Sequence, residues 1–95
     1  MTSRQRAQLR SLAHYLKPVL HLGKDGLTAA AVHALEDAFR TRELLKVKVQ
    51  EAAPLSAREA GAALEAALAD VHHVSTIGRT VILYRRHPEQ PEIKL

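Results

Sequence analysis

Apolar residues recur at intervals of three and four in three stretches of the chain, and that pattern predicts three amphipathic helices. In the first, over Ser3 to Leu16, Leu9, Leu12, Ala13 and Leu16 share a face, Thr2 or Ser3 supplies the cap, and Pro18 closes the element. In the second, Thr28 to about Arg42, the buried stripe is Ala31, Val32, Leu35, Ala38 and Phe39. The third opens on a capping box, Ser56-Ala57-Arg58-Glu59, and runs to about Asp70 with Leu64 and Leu68 inward. Gly61 sits in its interior, where glycine costs about 1 kcal/mol relative to alanine. A neighbouring element packed close to that position would explain it.

Between the helices the period changes to two. Leu45, Val47 and Val49 alternate with Lys46 and Lys48, so Leu44 to Gln50 reads as a half-buried strand with two lysines on one face. Val19 to Leu22 is a short apolar run bounded by Pro18 and Gly23. Val71 to Ile77 and Thr80 to Arg86 flank Gly78-Arg79, a pair suited to a type II′ hairpin turn. Val81-Ile82-Leu83 lacks alternation, as expected of a strand covered on both faces. The order is an N-terminal helix followed by a βαβαββ core, an α/β fold with a four-stranded mixed sheet. Residues 1–87 make one domain, and the proline-containing segment 88–95 reads as an exposed tail.

The chain has 95 residues, 46% of them hydrophobic, enough for one aliphatic core. Its aromatics are Tyr15, Phe39 and Tyr84, and it has no cysteine, which removes disulfides, thiolate chemistry and cysteine zinc sites. Neither a signal peptide nor a membrane span is apparent, so the expected compartment is the cytoplasm. The net charge is +4, and it is unevenly placed: nine basic and four acidic residues precede Glu51, leaving −1 for the remainder. The basicity therefore lies in the half that carries the glycine turn, which fits either an anionic partner or an ordinary solvated surface.

That turn, Leu22-Gly23-Lys24-Asp25-Gly26-Leu27-Thr28, joins the first strand to the second helix. Glycines three apart allow positive φ and close approach of another chain. Thr28 is a helix cap whose following amides face back toward the turn, an arrangement that attracts phosphate. Lys24 adds a mobile charge at the tip, which Asp25 partly offsets. A strand, turn, helix and strand place this loop at the carboxyl end of the first strand, where open α/β sheets bind ligands. Arg6, Arg10, His14 and Lys17 form a cationic stripe on the first helix at spacings of four, four and three.

Catalytic chemistry finds little support. The serines lie in no GxSxG elbow, and neither GxxxxGK[ST] nor GxGxxG occurs. Six histidines are present, but His72 and His73 alternate across a strand and the others fall on separate elements, so no metal site and no cofactor is expected. A glycine-x-x-glycine turn with amide donors and nearby cations suits a sugar-phosphate backbone, as in the clamp of KH modules. Few aromatics point to backbone and shape recognition in place of base stacking.

Thr2-Ser3-Arg4-Gln5-Arg6 with Leu9-Arg10 and Ala13-His14, Leu22 to Thr28, Glu43 to Val49, and Gly78 to Arg85 together resemble the CRM domain. This is the RNA-binding domain of YhbY-like bacterial proteins, found also in plant organelle splicing factors, and the resemblance extends over nearly the whole chain in its stand-alone form. It implies a fold similar to the C-terminal domain of bacterial translation initiation factor three, preceded by an extra helix. It also implies RNA binding through Gly23, Lys24, Asp25 and Gly26, and association with precursors of the large ribosomal subunit. Thr28, Arg6, Arg10, Lys17, Lys46, Lys48 and Arg79 are added from charge and position. The expected partner is RNA, which the resemblance implies is ribosomal RNA in large-subunit precursors, with neither a membrane nor a small-molecule substrate; the alternative is a module that joins a ribonucleoprotein through a protein partner.

Overall fold

The structure is a computed structural model that describes all residues, Met1–Leu95. Seven elements follow in order: α1 (Ser3–Ala13), β1 (Leu20–Leu22), α2 (Ala29–Ala38), β2 (Leu44–Val49), α3 (Ala57–Ala67), β3 (His72–Ile77) and β4 (Thr80–Tyr84). The four strands form one mixed sheet in the order β1-β2-β4-β3, with β1 parallel to β2 and both remaining pairs antiparallel.

Side-chain alternation in β4 divides the interior in two. Val81 and Leu83 join Leu22, Leu45, Val47 and Val49 beneath α2 and α3, together with Leu35, Phe39 and Leu64. Ile82 and Tyr84 project from the other face and meet Leu9 and Ala13 of α1, Leu44 and Val74. The unbroken apolar run in β4 is thus the signature of a strand between two cores.

Helix starts follow their capping chemistry. Thr2 and Gln5 form a reciprocal box at α1, Ser56 and Glu59 another at α3. Helix ends come earlier than periodicity predicts. After Ala13 the amides of His14, Tyr15 and Leu16 turn to carbonyls three residues back, so α1 tightens and stops well before Pro18. Leu16 consequently leaves the buried face and is 39% exposed, while Leu12, still within α1, lies at the margin of the face that buries Leu9 and Ala13 and is 44% exposed. The same tightening ends α2 at Ala38, where Arg40 and Thr41 bond three residues back.

Gly61 has the close neighbour that its cost implies. A Cβ there would lie 2.5 Å from the His73 ring, which packs against α3 and bonds Thr76 Oγ1 at 2.7 Å. Burial pushes the His73 pKa below its ordinary value, against the opposing pull of Glu65. Gly78 carries φ +58 while Arg79 does not enter the positive region, which fits the type II′ hairpin.

Residues 88–95 are mostly exposed but are anchored. Glu43, 6% exposed, accepts the backbone N–H of His87 at 2.8 Å, of Glu92 at 2.7 Å and of Ile93 at 2.8 Å. Burial would raise its pKa, but these three donors outweigh it and hold the carboxyl below the usual carboxylate range. Ile93 packs against the α1 core, and the Lys94 carbonyl accepts from Gln8 Nε2 at 2.6 Å. The tail is a strap, which composition alone does not reveal because its anchor lies more than forty residues away.

Candidate nucleic-acid interface

The Gly23–Gly26 segment closes as a tight turn, the Gly26 amide donating to the Gly23 carbonyl at 2.9 Å. Its two glycines serve different ends. Gly26 is buried with φ +67, and a Cβ there would sit 3.0 Å from Pro54 Cγ. Gly23 has no positive φ, and its nearest obstacle would be Gln50 Oε1 at 3.4 Å. Only Gly23 therefore offers backbone that another chain could approach, while Gly26 is required by the fold itself. Lys24 and Asp25 stand exposed at the tip, and no ion pair engages either.

Behind the turn, Thr28 Oγ1 accepts the Ala31 amide at 3.1 Å. The Ala29 and Ala30 amides lie in the first turn, where a helix offers no acceptor. A shallow depression of about 520 Å³ runs past His21, Gly23, Lys24, Thr28, Ala30 and Gln50. The Gln50 amide bonds the Leu22 carbonyl at 2.8 Å, and the Val49 amide bonds the Arg79 carbonyl at 2.7 Å. These links bring the hairpin tip to the same end of the sheet as the glycine turn. Arg79 pairs with Glu51 at 3.6 Å, but both side chains are mostly solvated and such pairs are weak.

The sequence-predicted cations separate into free and tied groups. Arg10, Lys24 and Lys48 are exposed and unpaired in the structure. Arg6 is tied: its guanidinium donates to the His73 carbonyl at 2.7 Å and the Val74 carbonyl at 2.9 Å, stapling α1 to the outer edge of β3. Glu65 covers the same edge by accepting the His73 amide. Lys46 is also tied, its ammonium lying 3.1 Å from the Leu16 carbonyl just beyond α1. Lys17 falls outside the stripe because α1 ends at Ala13, and it lines a different depression with Tyr15, Leu16 and Arg42.

His21 was not singled out by charge, yet it is exposed and stands in register beside Lys48. Its position between Leu20 and Leu22 in a strand was the available signal, since alternation turns it away from the core. Glu36 is engaged away from the turn: it pairs with Arg85, whose hydrogen bonds hold its pKa down, and Arg85 also lies over the Phe39 ring. No three His, Asp or Glu side chains converge as a metal-ligand group, and no helix is long and apolar enough to cross a membrane.

The family model described as the CRS1 / YhbY (CRM) domain matches residues 1–85. The chain belongs to that family. It is 33% identical over its whole length to the Bacillus subtilis protein named "Probable RNA-binding protein YqeI", covering 98% of that chain. A Haemophilus influenzae protein named "RNA-binding protein" is 36% identical across 94% of this chain and 89% of its own. The solution structure of the hypothetical protein SAV1595 from Staphylococcus aureus superposes with a TM-score of 0.84 at 33% identity, covering 100% of this chain and 98% of that one. The CRM fold thus accounts for the mixed sheet and for the helix that precedes it.

Proposed function

We propose that this CRM protein binds RNA by its backbone, with the Gly23–Gly26 turn as the contact and Lys24, Lys48, Arg79 and Arg10 as its electrostatic surround. One observation carries the reading: an exposed glycine turn, the first amides of α2 and the hairpin tip share one end of the sheet. The names of the bacterial relatives support the same partner. The RNA is ribosomal, within precursors of the large subunit, and the protein acts there in the cytoplasm as a non-catalytic assembly factor. The resemblance of its motifs to YhbY-like proteins supports that finer statement.

Fluorescence anisotropy with single-stranded RNA over a salt series tests the contact. Each neutralised phosphate contributes about −0.7 to the log–log slope, so Lys24→Ala reduces its magnitude by about 0.7. An unchanged slope and affinity removes Lys24 from the interface. In cells, crosslinking followed by sequencing of the attached RNA tests the ribosomal partner, and enrichment no greater than an untagged control overturns it. The exposed Leu12, Tyr15 and Leu16 favour a second reading, docking to a protein of a ribonucleoprotein. Capture of one protein that survives nuclease treatment, without RNA binding at low salt, would replace the first reading with this one.

A further inference from the structure

Cross-strand register places His21, Lys48, Thr80 and Ile77 in one row across all four strands, on the face that α1 covers elsewhere. None of the four is buried, and Ile77 is 54% exposed although apolar. The row starts two residues before Gly23 and ends at the hairpin. Beside its Ile77 end, a cavity of about 140 Å³ opens between α1 and the hairpin, lined by Arg10, His14, Lys46, Ile77, Thr80 and Ile82.

Its lining has two kinds of surface. Ile77 is the exposed apolar wall, with the buried Ile82 behind it, while Arg10, His14, Lys46 and Thr80 supply hydrogen-bond donors. No carboxylate is among them. A depression of about 690 Å³ between α2 and the end of β4 differs in this respect, since Glu36, Asp37, Asp70 and Glu89 line it beside arginines and histidines. Sites for drug-sized ligands occupy about 300–1,000 Å³, so the smaller cavity has room for little beyond one ring system. The apolar wall is a poor surface for phosphate alone. A nucleobase meets both requirements, with an apolar face for Ile77, acceptor atoms for the donors and an attached phosphate for the cations. His14 also stands edge-on to Tyr15, with ring centroids 5.3 Å apart. Tyr15 is 85% exposed, whereas Phe39 and Tyr84 are both buried in the cores.

We propose that this cavity holds one unstacked nucleobase of a single-stranded RNA whose backbone lies on the glycine turn and passes along the His21–Lys48–Thr80 row. The proposal rests on the RNA-binding reading above and specifies its substrate. A base paired within a duplex cannot enter, whereas splayed bases of loops and single strands can be received on side chains.

Anisotropy with a labelled single strand of about ten nucleotides tests this, using derivatives in which one nucleotide at a time is abasic and a blunt duplex of the same sequence. At one position, loss of the base weakens wild-type binding by about 2- to 13-fold, the worth of one net hydrogen bond. Ile77→Ser, at an exposed site and checked for folding by circular dichroism, weakens binding of the intact strand more than binding of the abasic strand and so reduces that discrimination, and it leaves the salt slope in place because no charge is removed; an undiminished discrimination overturns the cavity as the base site. Equal affinity for intact and abasic strands at every position, or for strand and duplex, overturns the cavity proposal while leaving backbone binding in place. Absence of binding to any RNA at low salt overturns both.

Discussion

The His73 imidazole lies against the α-carbon of Gly61, so close that a methyl group there would come within 2.5 Å of the ring. Helix propensity favours Gly61→Ala by about 1 kcal/mol, whereas overpacking costs about 1–3 kcal/mol. The steric term dominates because the ring is also held by Thr76. Gly61→Ala therefore lowers stability, by up to about 2 kcal/mol, in urea denaturation. In a His73→Ala background the same change becomes stabilising, and an unchanged sign in that double-mutant cycle would refute the contact as the cause.

Glu43→Gln tests the strap. An amide can keep its oxygen on the Glu92 and Ile93 donors, but its nitrogen then faces the His87 N–H, donor against donor. The expected loss is about 1–3 kcal/mol at neutral pH. The folded pKa of Glu43 is lowered, so its contribution is present above the unfolded glutamate value of about 4.3 and is lost as pH falls through the lower folded value. Glu43→Gln consequently flattens the acid limb of the stability–pH curve. Glu36, also lowered, leaves part of that limb intact. His73 acts at higher pH: its folded pKa is depressed, so stability already declines as pH falls below about 6.5.

Arg6→Ala and Lys48→Ala test the proposed division between cations tied to the fold and cations that bind RNA. Arg6→Ala removes two charge-assisted bonds to β3 and lowers stability by about 1–3 kcal/mol. Lys48→Ala leaves stability within about 0.5 kcal/mol, as at other exposed sites, and reduces the RNA salt slope. Thermal melts of both variants beside salt titrations check the division, and the reverse pattern would contradict it.

The two glycines of the turn are likewise separable. Gly26→Ala forces a side chain into positive φ and against Pro54, costing about 1–3 kcal/mol. Gly23→Ala meets only ordinary contact with Gln50, so the fold survives and any weakening of RNA binding reports on the interface. A comparable melting temperature for the two alanine variants would show that the buried contact is unimportant.

Much of this was readable from local pattern. The period-two run at Leu45–Val49, the Ser56–Glu59 box and the Gly78–Arg79 turn are each decided by neighbours in sequence, and each stands in the structure. Where the reading departed, the deciding partner was distant. Arg6 looked like its stripe companion Arg10 until β3 supplied two carbonyls, and Lys46 looked like Lys48 until the chain beyond α1 supplied one. Glu43 gave no signal as an anchor because its three donors are backbone amides, which carry no residue-type signature. The glycine turn was legible in the sequence. The row along which the RNA is proposed to continue depends on strand order, which alternation alone does not specify.

Because β4 contributes Val81 and Leu83 to one core and Ile82 and Tyr84 to the other, neither helical layer can detach without exposing part of the same strand. Loss of α1 uncovers the Ile82 side, and loss of α2 and α3 uncovers the Val81 side. The two cores are consequently one cooperative unit. Amide hydrogens of β4 exchange only through global opening, and those of the short β1 at the sheet edge exchange first among the strands.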